Sequence, residues 1–441
     1  MSRLRVAAVV WSALMIAACG TDGSVQPTPN PSPNPIPPDD TEVLQSELQR
    51  NPAPSVPSAD LATLVDGNSA LSFSLYDRFR KESDKNFFYS PLSISQALAM
   101  AWAGARGQTE KEMASTLHFG LDQSRLHPAM NELDLTLQSR GKGAKAADGK
   151  AFRLRLSNAI WGQRGYHILQ PFLDVLAQSY GAGLRVLNFK EQPDLAKDTI
   201  NAWVARQTED KIKDLIDSLS PDTRLVLTNT IYFNAAWSKV FDQLNTKDQS
   251  FNRLDGSTVT APAMNLTDYF SYAAGPGWQA IELPYDGNEL SMLLVVPDAG
   301  NFAQTEAQLC SNGVAGVVGR LKNTRTDLTL PKWKVSSKWR MKELLQTMGM
   351  VESFDGTRAN FTGINGGIEP LWIAQVIHQS FISVNEQGTE AAAATAVIMP
   401  GGSMPVTPVP LVVDRPFIYV IRDLGTGTIL FAGRVTDPTA S

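Results

Sequence analysis

The stretch Val384–Val397, which reads VNEQGTEAAAATAV, has two possible structures. Alanine has the best helix propensity, so the simpler interpretation is a helix that starts near Thr389. Such a short helix without an apolar stripe would be marginal on its own. A strand would instead place small or β-branched, uncharged residues on one face: Thr389, Ala391, Ala393, Thr395 and Val397. Glu390 would lie on the other face, so the segment could slip between two existing strands without leaving an unpaired charge in the core.

Apolar residues at helical spacing predict several helices in the rest of the chain. They occur at Leu71–Phe79, at Ile94–Leu98, and around Trp203, Ile212, Leu215 and Ile216. We expect Thr109 to cap the N-terminus of another helix, because a threonine side chain accepts a hydrogen bond there and acidic residues follow it.

Continuous apolar runs rich in β-branched residues predict strands that are covered on both faces. These runs are Leu225–Phe233, Leu290–Val296 and Leu328–Leu330. Phe417–Ile421 and Thr428–Phe431 flank the sequence RDLGTG, which is typical of a hairpin turn. Helices and strands do not alternate regularly, so we predict the α+β class with a large mixed sheet.

Composition excludes several classes of function. The chain has 441 residues, 43% of them hydrophobic, and a net charge of −5, which argues against nucleic acid as the main partner. Two cysteines exclude a disulfide-stapled scaffold and a multi-cysteine zinc site. Four histidines leave little material for another metal centre. We therefore predict no metal and no cofactor.

The N-terminus has the pattern of an export signal. Arg3 and Arg5 precede the apolar run Val6–Ala18, which is too short to be a good spanning helix. Residues 16–19, Ile-Ala-Ala-Cys, resemble the lipobox of bacterial lipoproteins. That resemblance implies cleavage of a signal peptide (1–18) and attachment of lipid to Cys19. We expect an exported protein that is lipid-anchored to the cell envelope, at the outer membrane or the cell surface.

The segment 19–58 is rich in proline, threonine, serine and asparagine. Such a composition buries little and favours extended polyproline conformations. We predict a tether at 19–58, with a proline-rich recognition ligand as the alternative, and a single folded domain at 59–441. About thirty extended residues could hold that domain up to roughly 100 Å from a membrane.

Motifs of catalysis are missing from the sequence. It contains no GxxxxGK[ST] phosphate loop, no HExxH zinc helix and no GxSxG nucleophile elbow. Cys310 lacks the local signature of a thiol nucleophile, and the four histidines are scattered. These observations favour a protein that is not an enzyme.

Taken together, residues 60–441 resemble the serpin family. The hinge sequence VNEQGTEAAAATA is among the most specific marks of its inhibitory members. Further segments are similar to serpin segments in serpin order: Asn86–Ala97, Leu227–Phe241, Ala280–Pro297, Leu330–Val335 and Arg415–Val435. The resemblance implies a fold of three β-sheets and eight or nine helices with an exposed reactive-centre loop.

The family also implies a suicide mechanism, a metastable native state and a monomer. A serine protease cleaves the loop and forms an acyl-enzyme, and the freed loop then inserts as a new strand in the large sheet and carries the protease with it as a covalent 1:1 complex. The hinge would comprise Gly388, Thr389, Glu390, Ala391, Ala392, Ala393, Ala394 and Thr395. Gln387 stands where the family commonly has glutamate or lysine, but it precedes the inserted part.

Carried over by position, the family pattern implies a reactive bond at Gly402–Ser403, with Met399 or Met404 as alternatives. Small and apolar residues there favour elastase-like or subtilisin-like proteases, and a papain-like cysteine protease is the alternative target. A non-inhibitory serpin that acts as a binding module is the other alternative for the whole protein. The family pattern also assigns a polar cluster beneath the central strands (the shutter) and a tryptophan above it (the breach): Ser90, Ser93, Asn229, His378 and Trp237.

Overall fold

The computed structural model describes residues 41–389 and 407–440. Its helices are α1 Ser58–Glu82, α2 Pro91–Trp102, α3 Gly107–Thr116, α4 Gln123–Gln138, α5 Gln170–Tyr180, α6 Pro193–Gln207, α7 Phe302–Asn312, α8 Ala315–Val318, α9 Met341–Thr347 and α10 Thr362–Asn365. Its strands are β1 Glu42–Leu44, β2 Phe87–Tyr89, β3 Arg153–Gln163, β4 Leu184–Leu187, β5 Leu225–Ala236, β6 Lys247–Asn252, β7 Thr258–Gly275, β8 Trp278–Pro284, β9 Leu290–Pro297, β10 Lys322–Pro331, β11 Trp333–Arg340, β12 Ile373–Asn385, β13 Gly388–Thr389, β14 Val409–Val412, β15 Phe417–Asp423 and β16 Ile429–Val435. The predicted α+β class is confirmed. In the described part, the helices number ten rather than eight or nine because α8 and α10 are single turns of four residues.

The first sheet, called sheet A below, has the strand order β1-β4-β3-β5-β13-β12-β11. Its central strand β5 contains the predicted run Leu225–Phe233, and all but the last of its 12 residues are buried. β5 pairs with β3 in antiparallel and with β12 in parallel orientation. Both faces of the sheet are covered at this parallel pair, so side chains on either face of β5 are buried. This explains why the sequence of β5 is a nearly continuous apolar run.

The second set of strands has the order β14-β10-β7-β8-β9-β15-β16-β2, with β6 paired to β7. The 18-residue strand β7 pairs with β6 and β10 in one part and with β8 in the other. It thereby joins two of the three implied sheets into one hydrogen-bonded set. The predicted hairpin is present as β15 and β16.

The main core lies between the two sheets and helices α1 and α2, and a smaller apolar cluster lies against α6. The helix predicted around Ile212, Leu215 and Ile216 is wrong. These three side chains are buried in the smaller cluster, but their backbone is not helical. Asn201 of α6 satisfies that backbone, since its side chain accepts from the N–H of Ile216 at 2.8 Å and donates to the same residue's carbonyl at 2.9 Å.

The predicted N-cap at Thr109 is also wrong, because α3 begins at Gly107 after Arg106. Thr109 lies inside the helix and is fully buried. Its hydroxyl accepts the backbone N–H of Asn360 at 3.0 Å. The threonine therefore joins α3 to a distant loop instead of capping its own helix.

The predicted tether boundary at residue 58 requires correction. Glu42–Leu44 form β1 at the edge of sheet A, and Arg50 binds Asn131 and Asp134 of α4. Pairing of the backbone, ion pairing of Arg50 and packing of Leu44 and Val56 against the main core stabilise this segment. The folded body therefore begins near residue 41, and the part of the predicted tether before it lies outside the described residues, as do the predicted signal peptide and Cys19. Within 41–389 and 407–440, the helices are too short or too polar to cross a bilayer.

Candidate strand-insertion site

The site is the junction of β5 and β12 in sheet A. Along most of their length the two strands pair directly, from Leu225 with Ile373 to Ile231 with Ser380. Above this point they separate, and the two-residue strand β13 lies between them. β13 is antiparallel to both neighbours, since Thr389 pairs with Ala235 on one side and with Val384 on the other. The hinge thus enters the top of a slot that is closed below it.

Thr389 faces the interior of the protein. Its side chain is fully buried, and its hydroxyl lies 2.9 Å from the hydroxyl of Tyr285. Its register partners Ala235 and Val384 are buried as well. Residues directly opposite each other in a sheet share a face, so Thr389 lies on the same buried face of sheet A as Ala235 and Val384. The other predicted hinge residues, Glu390, Ala391, Ala392, Ala393, Ala394 and Thr395, lie outside the described residues, as do Met399, Gly402, Ser403 and Met404.

Gly388 has a backbone conformation that requires glycine. Its φ is +147°, and a Cβ at this position would lie 2.2 Å from the carbonyl oxygen of Ala235. Only a residue without a side chain can bring the chain this close to β5. The glycine therefore lets the chain turn back from β12 into the slot.

Trp237, the predicted breach residue, lies directly above the slot. Its indole N–H donates to the carbonyl of Asn385 at 2.9 Å, and its backbone N–H donates to the carbonyl of Gln387 at 2.9 Å. The ring stacks on Tyr285 with centroids 4.7 Å apart. Trp237 and Tyr285 together hold the turn from which the hinge descends.

The sequence interpretation missed an ion pair at this turn. The buried carboxylate of Glu386 accepts hydrogen bonds from Lys332 at 3.0 Å and from Thr246 at 2.8 Å. Burial acts to raise the pKa of Glu386, but bonds from its own backbone amide, Thr246 and Lys332 outweigh it and lower the pKa below its ordinary value. Glu386 and Lys332 are far apart in the chain, so no local pattern links them.

Four of the five predicted polar-cluster and breach residues meet in one hydrogen-bond network. The backbone N–H of Ser90 donates to Nε2 of His378 at 3.1 Å, so this ring nitrogen is an acceptor. The proton of the neutral ring is therefore on Nδ1, which donates to Oδ1 of Asn229. The amide of Asn229 in turn donates to Ser93 and to Asn158. Because Asn229 belongs to β5 and His378 to β12, the network fastens the two strands that would have to part.

The electrostatics of this network depend on a neutral histidine. Burial lowers the pKa of His378 from 6.5 to about 3, against a smaller raising effect of its bond to Asn229. The ring is thus uncharged at neutral pH. Asn158 of β3 was not predicted, and its amide donates to Gln96 of α2 at 2.9 Å. It extends the network to a third strand and adds a second contact to α2, the helix that contains Ser93.

The described residues offer little catalytic chemistry elsewhere. In the described ranges, no group of three or more histidine, cysteine, aspartate and glutamate side chains is placed to hold a metal. Burial raises the pKa of the Cys310 thiol to about 11, so the thiolate nucleophile is scarce at neutral pH.

Comparisons with known proteins agree with this geometry. The family model described as "Serpin (serine protease inhibitor)" matches residues 66–438. A serpin-like protein of Thermococcus kodakarensis is 37% identical over 406 residues, which cover 88% of this chain and 92% of that protein. The crystal structure of Serpin48 from the insect Tenebrio molitor is 30% identical, with a TM-score of 0.75 over 85% of this chain and 98% of that one.

A thermophilic serpin in its native state, tengpin, gives a TM-score of 0.77 at 25% identity, over 90% of this chain and 99% of that one. Members of the matched family are generally inhibitors of proteases rather than enzymes. The sheet with its short entering strand, the polar fastening below it and the matched sequence lead to one conclusion. The chain belongs to the serpin family.

Proposed function

We propose that this protein is an inhibitory serpin that traps a serine protease by inserting its cleaved reactive loop into sheet A. The observation that carries the proposal is β13, which already occupies the first two positions of the slot between β5 and β12. It is hydrogen-bonded to both neighbours in the orientation that a longer inserted strand would need. Insertion of the rest of the cleaved loop would continue the backbone hydrogen bonding that β13 has begun.

The observed register supports insertion along the whole slot. Continued one residue at a time from Thr389 opposite Ala235, it brings Thr395 level with Asn229 and His378. It brings Met399 level with Leu225, the first residue of β5. The length of the loop therefore matches the length of the strand beside it.

The same register supports the choice of residues in the loop. Continued insertion would set Ala391 against the buried Phe233 and Ala393 against the buried Ile231, both on β5. Small side chains enter such covered positions without requiring the core to move. A charged side chain on this face would have to be buried without a partner.

We place the reactive bond at Gly402–Ser403, with Met399 and Met404 as alternative positions. Gly402 would come to lie three residues past the end of β5, so the bound protease would be carried to the far end of sheet A. The segment 390–410 contains no lysine or arginine, which supports elastase-like or subtilisin-like targets over trypsin-like ones. A papain-like cysteine protease remains the alternative.

We further propose that Cys19 carries a lipid, and that the protein acts at the bacterial cell envelope as a monomer. The support is the signal-like segment 1–18 and the sequence Ile-Ala-Ala-Cys before the proline-rich segment. Mass spectrometry of the membrane fraction would detect the lipidated N-terminal peptide. Recovery of an N-terminal peptide with a free Cys19 thiol would reject the anchor.

The central experiment is incubation of the protein with a panel of serine and cysteine proteases. We expect a covalent complex that survives denaturing electrophoresis, together with a released C-terminal peptide that begins at Ser403. We also expect the cleaved protein to melt at a higher temperature than the intact one. Cleavage of the loop with neither a complex nor a gain in melting temperature would reject inhibition and favour a non-inhibitory binding module.

A further inference from the structure

The segment 42–51, called the N-terminal strap below, binds β4, α4 and α5, the last through the hydroxyl of Ser46, which donates to Asp174 at 2.6 Å. Its first part is β1, which pairs with β4 from Glu42 opposite Val186 to Leu44 opposite Leu184. Its second part ends in Arg50, whose guanidinium binds Asn131 at 2.7 Å and Asp134 at 2.5 Å. Asp134 and Asn131 are both buried, so the arginine is held in a built pocket on α4.

The strap fixes where the preceding chain joins the body. Val186 of β4 is level with Gly162 of β3, and Gly162 is level with Leu225 of β5. The hinge, by contrast, is level with Ala235 of β5. These two levels are ten residues apart, or about 33 Å along the strand. Chain before Glu42 therefore joins sheet A at the end opposite the hinge.

That end is also where the proposed mechanism delivers the protease. Gly402 would come to lie just past Leu225, and four strand spacings separate the slot from β1. At about 4.8 Å each, the lateral separation is only about 19 Å. A protease of ~230 residues has a radius of gyration of about 17 Å and a diameter of about 45 Å. The delivered protease would thus cover the point where the tether begins.

We infer that the proline-rich segment before the strap is a spacer that keeps room for the trapped protease between the body and the anchoring surface. This inference rests on the proposed inhibitory function and on the proposed lipid anchor at Cys19. The 22 residues 19–40 span at most about 68 Å as polyproline, which exceeds the diameter of the protease. Deletion of residues 26–40 leaves seven residues that span about 22 Å, which is less than the diameter of the protease.

The test compares anchored and free protein that starts at Cys19. In a Cys310→Ser background, the thiol of Cys19 is coupled to a maleimide lipid and the protein is bound to phosphatidylcholine vesicles. The measured quantity is the number of inhibitor molecules consumed per protease inhibited, with a protease that forms the complex in solution. We expect the value of the full-length chain to be the same with and without coupling. We expect the value of the 26–40 deletion to rise several-fold on coupling and to stay unchanged when free.

A rescue variant tests the strap itself. Val43→Pro, Ser46→Ala and Arg50→Ala together should release the strap, because they remove its bonds to β4, to Asp174 of α5 and to α4, so that the anchored chain joins the body near Ser58 instead. This frees residues 41–57, which add about 50 Å of extended chain. The anchored deletion variant with a released strap should therefore recover the value of the free protein.

The outcomes separate this inference from the proposed function. An anchored deletion variant that inhibits as efficiently as the free one would overturn the spacer, and so would a full-length chain that loses efficiency on coupling. Failure of rescue by the released strap would overturn the assigned point of attachment. Absence of a complex with the free protein would instead reject the inhibitory function on which the inference depends.

Discussion

Replacement of Thr389 by arginine tests whether the hinge enters sheet A with this residue pointing inward. Thr389 is fully buried, and its hydroxyl lies 2.9 Å from the hydroxyl of Tyr285. Its strand neighbours Ala235 and Val384 offer no carboxylate that could pair with a guanidinium. The variant must either bury an unpaired charge or keep the hinge out of the slot.

The magnitude follows from the cost of that charge. An uncompensated buried charge costs about 3–5 kcal/mol, and 3 kcal/mol on the insertion barrier slows insertion by roughly 150-fold. Hydrolysis of the acyl-enzyme takes place in the active site of the protease, so its rate does not change. The ratio of cleaved inhibitor to covalent complex should therefore rise by about the same factor of 150, and the variant should behave as a substrate.

The assay is densitometry of complex and cleaved inhibitor after reaction with a limiting amount of protease. Thr407→Arg is the matched control, since it makes the same change at an exposed position past the reactive bond. Thr389→Ser keeps the hydroxyl and should inhibit like the wild type. An unchanged yield of complex from Thr389→Arg would refute the inward orientation of this face.

Three further predictions concern the same slot. Gly388→Ala places a Cβ 2.2 Å from the carbonyl oxygen of Ala235, which strains the hinge by about 1–3 kcal/mol. This strain should raise the number of inhibitor molecules consumed per protease inhibited. An unchanged number would contradict the need for glycine. The unfolded chain binds a proton at His378 near pH 6.5, whereas the native state binds it only near pH 3, so His378 alone should contribute a loss of about 2 kcal/mol in the free energy of unfolding between pH 7 and 5. His378→Gln should remove that loss, measured by urea unfolding at both pH values, and an equal loss in both proteins would contradict it. Thr395→Val should leave the melting temperature of the intact protein unchanged. It should reduce the rise in melting temperature on cleavage, because the inserted residue would lack a hydroxyl beside Asn229. An undiminished rise would refute the register.

The central part of the fold could be predicted because its signals are local and redundant. The run Leu225–Phe233 is apolar on both faces, and the structure confirms it as the middle of sheet A. The residues around Ile212 misled the prediction because apolar spacing reports which side chains are buried, not the conformation of the backbone between them. There the backbone bonds are made by Asn201, a residue of another element.

The N-terminal strap could not be predicted from its composition. Proline and polar residues around positions 41–57 resemble the tether before them, and the partners of Arg50 lie some eighty residues away on α4. The ion pair of Glu386 with Lys332 is hidden for the same reason. The polar cluster was accessible only through the resemblance to serpins, because a serine or an asparagine in a buried strand has no signature of its own.

The polar network at the centre of an apolar sheet is explained by the need for one defined closed state. Apolar contacts between β5 and β12 would tolerate a range of separations, whereas the bond from His378 to Asn229 is satisfied only when the strands pair directly. A buried polar group that loses its partner costs about 1–3 kcal/mol, so partial opening at this level is disfavoured. In the proposed register, Thr395 reaches the level of this bond. Thr395 carries a hydroxyl, whereas its nearest neighbours on the same face are alanine and valine. In the proposed mechanism the closed sheet would therefore resist the intact loop below the level of Thr389, and a cleaved loop that arrives in register would replace the bonds that the sheet gives up.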